Sequence, residues 1–115
     1  MEKFVVLKSY RTEFHEPLIL EEDDEVNLGE EEKEEKWKGW IWAENEKGKG
    51  WAPVQIFDIS PDRTKGKVLE YYSAQELDAD EGDEVIIEKS LNGWSWAENI
   101  RTKKTGWIPD ENFGY

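Results

Sequence analysis

This chain repeats itself. Gly39-Trp40-Ile41-Trp42-Ala43-Glu44-Asn45 returns as Gly93-Trp94-Ser95-Trp96-Ala97-Glu98-Asn99, identical at six of seven positions. Gly50-Trp51-Ala52-Pro53 returns as Gly106-Trp107-Ile108-Pro109. Upstream of these, Glu22-Asp23-Asp24-Glu25-Val26 matches Glu81-Gly82-Asp83-Glu84-Val85, and Val6-Leu7-Lys8-Ser9-Tyr10 matches Val68-Leu69-Glu70-Tyr71-Tyr72. Four blocks recur in the same order, and the length differences fall in polar segments between them. Such a pattern is a duplication. The expected division is a first unit over 1–60, a linker over 61–66 whose Pro61 and Gly66 mark a turn or short connection, and a second unit over 67–115.

Two units in 115 residues must each be very small. Seven Trp, four Tyr and four Phe make that feasible, because each buried ring removes about 150–250 Å² from water. Within each repeat the pattern is that of strands. Trp40 and Trp42, like Trp94 and Trp96, fall on one face of an extended chain, since side chains alternate with period two. Val85-Ile86-Ile87 is short and β-branched, and Asn92-Gly93 and Lys104-Thr105-Gly106 are turn signals. Glu30 to Lys38 is too polar to own a buried helical face and is expected to be a solvated loop. The expected fold class is all-β: two tandem small barrels of about five short strands each.

Charge narrows the partners. The net charge is −13, with 16 acids against 8 bases in residues 1–60 and 12 against 7 in residues 61–115. Phosphate backbones and anionic membranes are repelled by such a surface, so neither nucleic acid nor membrane is expected. A basic partner suits it. The absence of cysteine and of an N-terminal apolar run predicts a cytoplasmic protein.

Arranged by these blocks, each half resembles a Src homology 3 (SH3) domain, in a variant form similar to those of bacterial proteins. Val68-Leu69-Glu70-Tyr71-Tyr72 falls on the family's Ala-Leu-Tyr-Asp-Tyr strand. The segment Glu76 to Val85 falls on the end of its RT loop, Trp94-Ser95-Trp96-Ala97 on its Trp-Trp strand, and Gly106-Trp107-Ile108-Pro109 on its Gly-aromatic-hydrophobic-Pro motif. The resemblance implies binding of extended, Pro-rich peptides, which lose little entropy on docking between aromatic rings. It implies groove residues Tyr72, Trp94, Trp107 and Pro109 in the second repeat and Tyr10, Trp40, Trp51 and Pro53 in the first. Glu76, with Asp78 beside it, falls where the family reads a basic residue; Pro17 takes that place in the first repeat, leaving Glu13 and Glu16 as substitutes. Two family rings are missing from both repeats. Lys8 and Glu70 replace one, Ile56 and Asn112 the other, so both repeats lack the two rings that in the family build one Pro-x pocket.

Other readings compete with the groove. Trp42 and Trp96 are expected to pack in the barrels, and Ala43 and Ala97 to be small core positions. The rings of Trp40, Trp94, Trp51 and Trp107 could instead cover the other barrel, giving a structural or oligomeric role. An acidic decoy of nucleic acid is a weaker possibility. Asp78-Ala79-Asp80-Glu81-Gly82 departs from a calcium loop at Gly82 and Lys89. No catalytic set, metal site or cofactor site is expected: His15 is the one histidine, placed in a polar loop, and no phosphate-cradling motif is present.

Overall fold

The computed structural model describes residues 3–13 and 16–114, apart from the side chain of Lys36; Phe14 and His15 lie outside the described residues. Among the described residues twelve short strands follow in order: β1 (Lys3–Val6), β2 (Ile19–Leu20), β3 (Glu25–Glu31), β4 (Trp40–Asn45), β5 (Gly48–Pro53), β6 (Phe57–Ile59), β7 (Lys65–Val68), β8 (Tyr72–Ser73), β9 (Glu84–Leu91), β10 (Trp94–Asn99), β11 (Thr105–Pro109) and β12 (Phe113–Gly114). Three single 3-10 turns, at Glu35–Trp37, Val54–Ile56 and Asp110–Asn112, are the remaining regular elements among the described residues. The fold is all-β, and its strands group into two small barrels.

The barrels do not follow the expected boundaries. One compact unit comprises Met1–Glu16 together with Gln75–Tyr115; the other is Pro17–Ala74. We call them the terminal unit and the central unit. In the terminal unit the sheet order is β11-β10-β9-β1-β12, so the first strand of the first repeat lies between two strands of the second. Its register sets Phe4 opposite Val85, Val5 opposite Glu84 and Val6 opposite Phe113. In the central unit the order is β5-β4-β3-β7-β6, with β7, the first strand of the second repeat, pairing Gly66 with Val26 and Val68 with Phe57. The division at 1–60, 61–66 and 67–115 is therefore corrected: it follows the duplicated sequence, while each barrel borrows its opening strand from the other repeat.

Of the two readings of residues 61–66, the turn is the one observed, and the linker between units is corrected. Residues 60–64 form a hairpin turn between β6 and β7, with Ile59 opposite Gly66. The Ser60 amide donates to the Lys65 carbonyl at 2.9 Å, and the Asp62 carboxylate accepts from the Ser60 hydroxyl at 2.7 Å and the Thr64 hydroxyl at 2.8 Å. Proline, aspartate and a residue in the left-handed region (Arg63, φ 60) make a turn here because each suits a reversal of the chain. The Glu30 to Lys38 stretch is likewise only partly loop: β3 runs on to Glu31, and Glu35–Trp37 is a 3-10 turn.

Period two decides what fills the barrels. In β4, Ile41 and Ala43 are buried; in β10, Ser95, Ala97 and Asn99 are buried. Small residues fit the tight interior of a small barrel. The tryptophans take the opposite face, so the expectation that Trp42 and Trp96 fill the interior is corrected. They form cross-strand pairs instead: Trp42 with Trp51 at 5.4 Å between ring centroids and 81°, Trp96 with Trp107 at 5.6 Å and 79°. Such edge-to-face pairs add about 0.5–1.5 kcal/mol beyond area burial. Ala43 and Ala97 are core positions, as expected. The terminal core joins Val6 of the first repeat to Leu77, Ala79, Val85, Ala97 and Ile108 of the second.

Candidate functional site

The borrowed strand brings together residues that the sequence had placed in separate sites. In the terminal unit, Tyr10 of the first repeat bridges to Ala79 of the second. Its ring stands edge-on to Trp94 at 5.8 Å between centroids and 87°. Its hydroxyl donates to Oε1 of Glu76 at 2.6 Å. Burial, and then this bond to a carboxylate, push the Tyr10 hydroxyl well above the usual phenol range, so it stays a donor. Pro109 lies directly opposite Trp94 in the sheet. Tyr10, Trp94 and Glu76 are half-buried, Glu13 and Asp78 are exposed, and Pro109 is buried.

Glu76 is held by the backbone. It bridges in parallel to Trp107, with the Leu77 amide donating to the Trp107 carbonyl at 2.8 Å and the Trp107 amide to the Gln75 carbonyl at 2.9 Å. A Cβ on Gly106 would stand 2.7 Å from the Glu76 carbonyl carbon and 2.8 Å from the Leu77 nitrogen, so only glycine allows this approach.

A polar clamp fixes the arm that carries Tyr10. Arg11 pairs with the Asp80 carboxylate and donates to the Ala79 carbonyl at 2.9 Å. The Thr12 amide donates to Asp78 at 2.8 Å. Asp83, 9% exposed, accepts from Arg101 Nε at 2.8 Å, from Asn99 at 2.9 Å and from the Asp80 amide at 2.9 Å. The Arg101 guanidinium above all, then the backbone donor and Asn99, hold its carboxyl well below the usual carboxylate range. Arg101 also reaches Asp80 at 3.1 Å, so Asp80 lies between two guanidinium groups. Sequence reasoning did not single out this clamp. Its signal was the return of Asp and Asn at equivalent places, Asp24 and Asn45 against Asp83 and Asn99.

The central unit arranges the matching residues differently. Tyr72 is 5% exposed and Trp40 is 6% exposed, and the Tyr72 hydroxyl donates to the Trp51 carbonyl at 3.1 Å. Trp51 is half-buried and Pro53 buried. Pro17, which corresponds to Glu76, has no carboxylate to offer. Glu16 is exposed and belongs to the terminal unit. Trp107, expected in the groove, is 3% exposed, and its ring packs on Trp96 with the Lys89 ammonium 5.8 Å from its centroid. Where the family has its missing rings, the Asn112 side chain donates to the Lys8 carbonyl at 2.9 Å, and Ile56 is buried.

Among the described residues, no three His, Cys, Asp or Glu side chains are grouped to hold a metal ion, and no helix is long and apolar enough to cross a membrane. No curated protein and no solved structure gives a significant match. Residues 3–60 match the variant SH3 domain and residues 72–110 match the SH3 domain. Half of the chain is covered by the first match alone, the two lie in tandem, and the all-β architecture agrees with both: the chain belongs to the SH3 domain family, whose members are binding modules for proteins and peptides rather than catalysts.

Proposed function

We propose that the terminal unit is a peptide-binding site that takes an extended segment, basic and Pro-rich in character, across Tyr10, Trp94 and Pro109. The observation that carries this reading is the cluster itself: two half-buried rings set edge-to-face at 5.8 Å, beside the Glu76 carboxylate and the exposed Glu13 and Asp78. Flat apolar faces suit the rings of proline, and acids beside them suit Arg or Lys on the same peptide. A net charge of −13 draws such a ligand in and discourages anionic ones. Tyr72 and Trp40 are buried, so the central unit offers Trp51 as its one half-buried ring of the set. We assign it a supporting role.

Titration of the full chain with an Arg-flanked polyproline peptide, followed by tryptophan fluorescence, tests this. Trp94→Ala is expected to weaken binding about thirtyfold, the size of a truncated aromatic anchor, with the circular dichroism spectrum unchanged. Trp51→Ala is expected to leave affinity within about twofold. Failure of an array of basic and Pro-rich peptides to bind, or equal losses from the two substitutions, defeats the proposal.

A further inference from the structure

The two opening strands run into the same Val-Leu-x-x-Tyr block, yet each lies in one barrel and not the other. The registers show which residues stand in equivalent places. Phe4 lies opposite Val85 as Gly66 lies opposite Val26, and Val6 lies opposite Phe113 as Val68 lies opposite Phe57. Continuing along each strand, Tyr10 corresponds to Tyr72 and Arg11 to Ser73.

These places are not interchangeable. A Cβ on Gly66 would stand 3.2 Å from Leu28 Cδ1, 3.3 Å from Phe57 Cδ1 and 3.4 Å from Phe57 Cβ. A methyl group is already tight there, and a phenyl ring does not fit without displacing packed core. In the terminal unit the same place is roomy enough that Phe4 packs edge-on to Phe113 at 5.4 Å and 69°. Put Gly66 there and Phe113 loses that ring. Charge acts in the same direction. Arg11 meets Asp80, with Asp78 beside it on Thr12. In the central unit Glu21 matches Asp80 but already meets the Lys47 ammonium at 3.5 Å, and the apolar Ile19 matches Asp78, with Ser73 opposite it.

We infer that Phe4 and Arg11 are the specificity-determining residues that send the first repeat's arm into the terminal unit, and that the Leu28–Phe57 packing over Gly66 bars that arm from the central unit. This choice decides which tyrosine meets Trp94 and Glu76, and it holds whether or not a peptide binds.

The chain has no cysteine, so engineered pairs report unambiguously. Val5, Glu84, Glu25 and Lys67 are all exposed, with Val5 opposite Glu84 and Lys67 opposite Glu25. Directly opposed residues on antiparallel strands lie about 4.5–5.5 Å apart at Cα, within disulfide range. The full chain is refolded in a glutathione redox buffer, and the bonds are mapped by peptide mass. Val5→Cys/Glu84→Cys is expected to cross-link as completely as the reference pair Lys67→Cys/Glu25→Cys. Val5→Cys/Glu25→Cys is expected to cross-link at least about tenfold less, as a strong pairing preference requires. A bond between two molecules at positions 5 and 84 supports the same selectivity, since the arm still finds the terminal acceptor.

Adding Phe4→Gly and Arg11→Ser gives the first arm the second arm's residues at both places and is expected to raise the 5–25 bond at least about fivefold. Arg11→Ser alone, which removes no packed ring, shifts the ratio in the same direction and serves if the double variant does not fold. Predominant 5–25 bonding in the parent, or a ratio indifferent to these substitutions, overturns the inference.

Discussion

In the terminal unit the carboxylate of Asp83 meets a forked guanidinium, an amide side chain and a backbone N–H. Its counterpart in the central unit, Asp24, meets the Lys47 ammonium at 2.6 Å and the Glu21 amide at 2.9 Å, while Asn45 turns away to the Glu25 carbonyl at 3.2 Å. The tyrosines diverge in the same way. Tyr10 is half-buried and bonded to a carboxylate; Tyr72 is buried and bonded to a backbone carbonyl. One ancestral plan thus has two finishes, a polar clamp around partly open rings and an apolar packing around closed ones. The duplicated blocks specify the barrel, while the residues facing them decide what each barrel presents. A planar, forked Arg can fix a carboxylate in two directions; a Lys supplies one flexible point charge.

The largest separation between the units is expected at their glycines. Gly106→Ala drives a methyl into the Glu76 backbone and costs up to about 3 kcal/mol, whereas Gly50→Ala meets only the Leu18 Cβ at 3.4 Å and costs under about 1 kcal/mol. Urea melts of the two variants measure this, and equal losses would break the comparison.

Acid is the next lever. Asp83 has a folded pKa below its unfolded one, so its contribution is fully present above the ordinary aspartate value of about 3.9 and is lost as pH falls toward the depressed folded value. Asp83→Asn is expected to flatten the acid limb of stability against pH in that window. Asp24 is depressed too, chiefly by the Glu21 amide and then by Lys47. It is exposed to solvent screening, so Asp24→Asn flattens the limb less. Thermal melts from pH 5 down to pH 2 order the two; the reverse order contradicts the clamp.

The smallest expected effect is at the tyrosines. Tyr10→Phe removes a bond to a carboxylate, about 1.5 kcal/mol in stability, and Tyr72→Phe a bond to a carbonyl, about 1 kcal/mol. Only Tyr10→Phe is expected to change affinity for the Arg-flanked peptide, because it alone alters Glu76.

Much of this was legible in the sequence. Paired indoles at period two, Asn92-Gly93 in a turn (φ 52 and φ 87) and the four recurring blocks pointed to two small β barrels. The faces were harder. Large rings read as core, and only the register shows that Ala43, Ala97 and Ser95 take the interior and leave Trp42 and Trp96 outside. Pro61 to Gly66 carried an honest turn signal, but composition does not tell a hairpin from a linker. The exchange of opening strands was not legible, because both arms carry the same Val-Leu-x-x-Tyr block. The residues that separate them, Phe4 against Gly66 and Arg11 against Ser73, fall just outside it. Tyr10 and Glu76 were each singled out, in different sites, and nothing local could say that they meet.

Two-dimensional NOE spectroscopy of the intact chain asks directly whether each barrel is completed by the other repeat. Through-space peaks from the Tyr10 ring to the Trp94 indole, and from Phe4 to Phe113, are what the account predicts. Peaks from Tyr10 to Trp40 together with Tyr72 to Trp94 would contradict it.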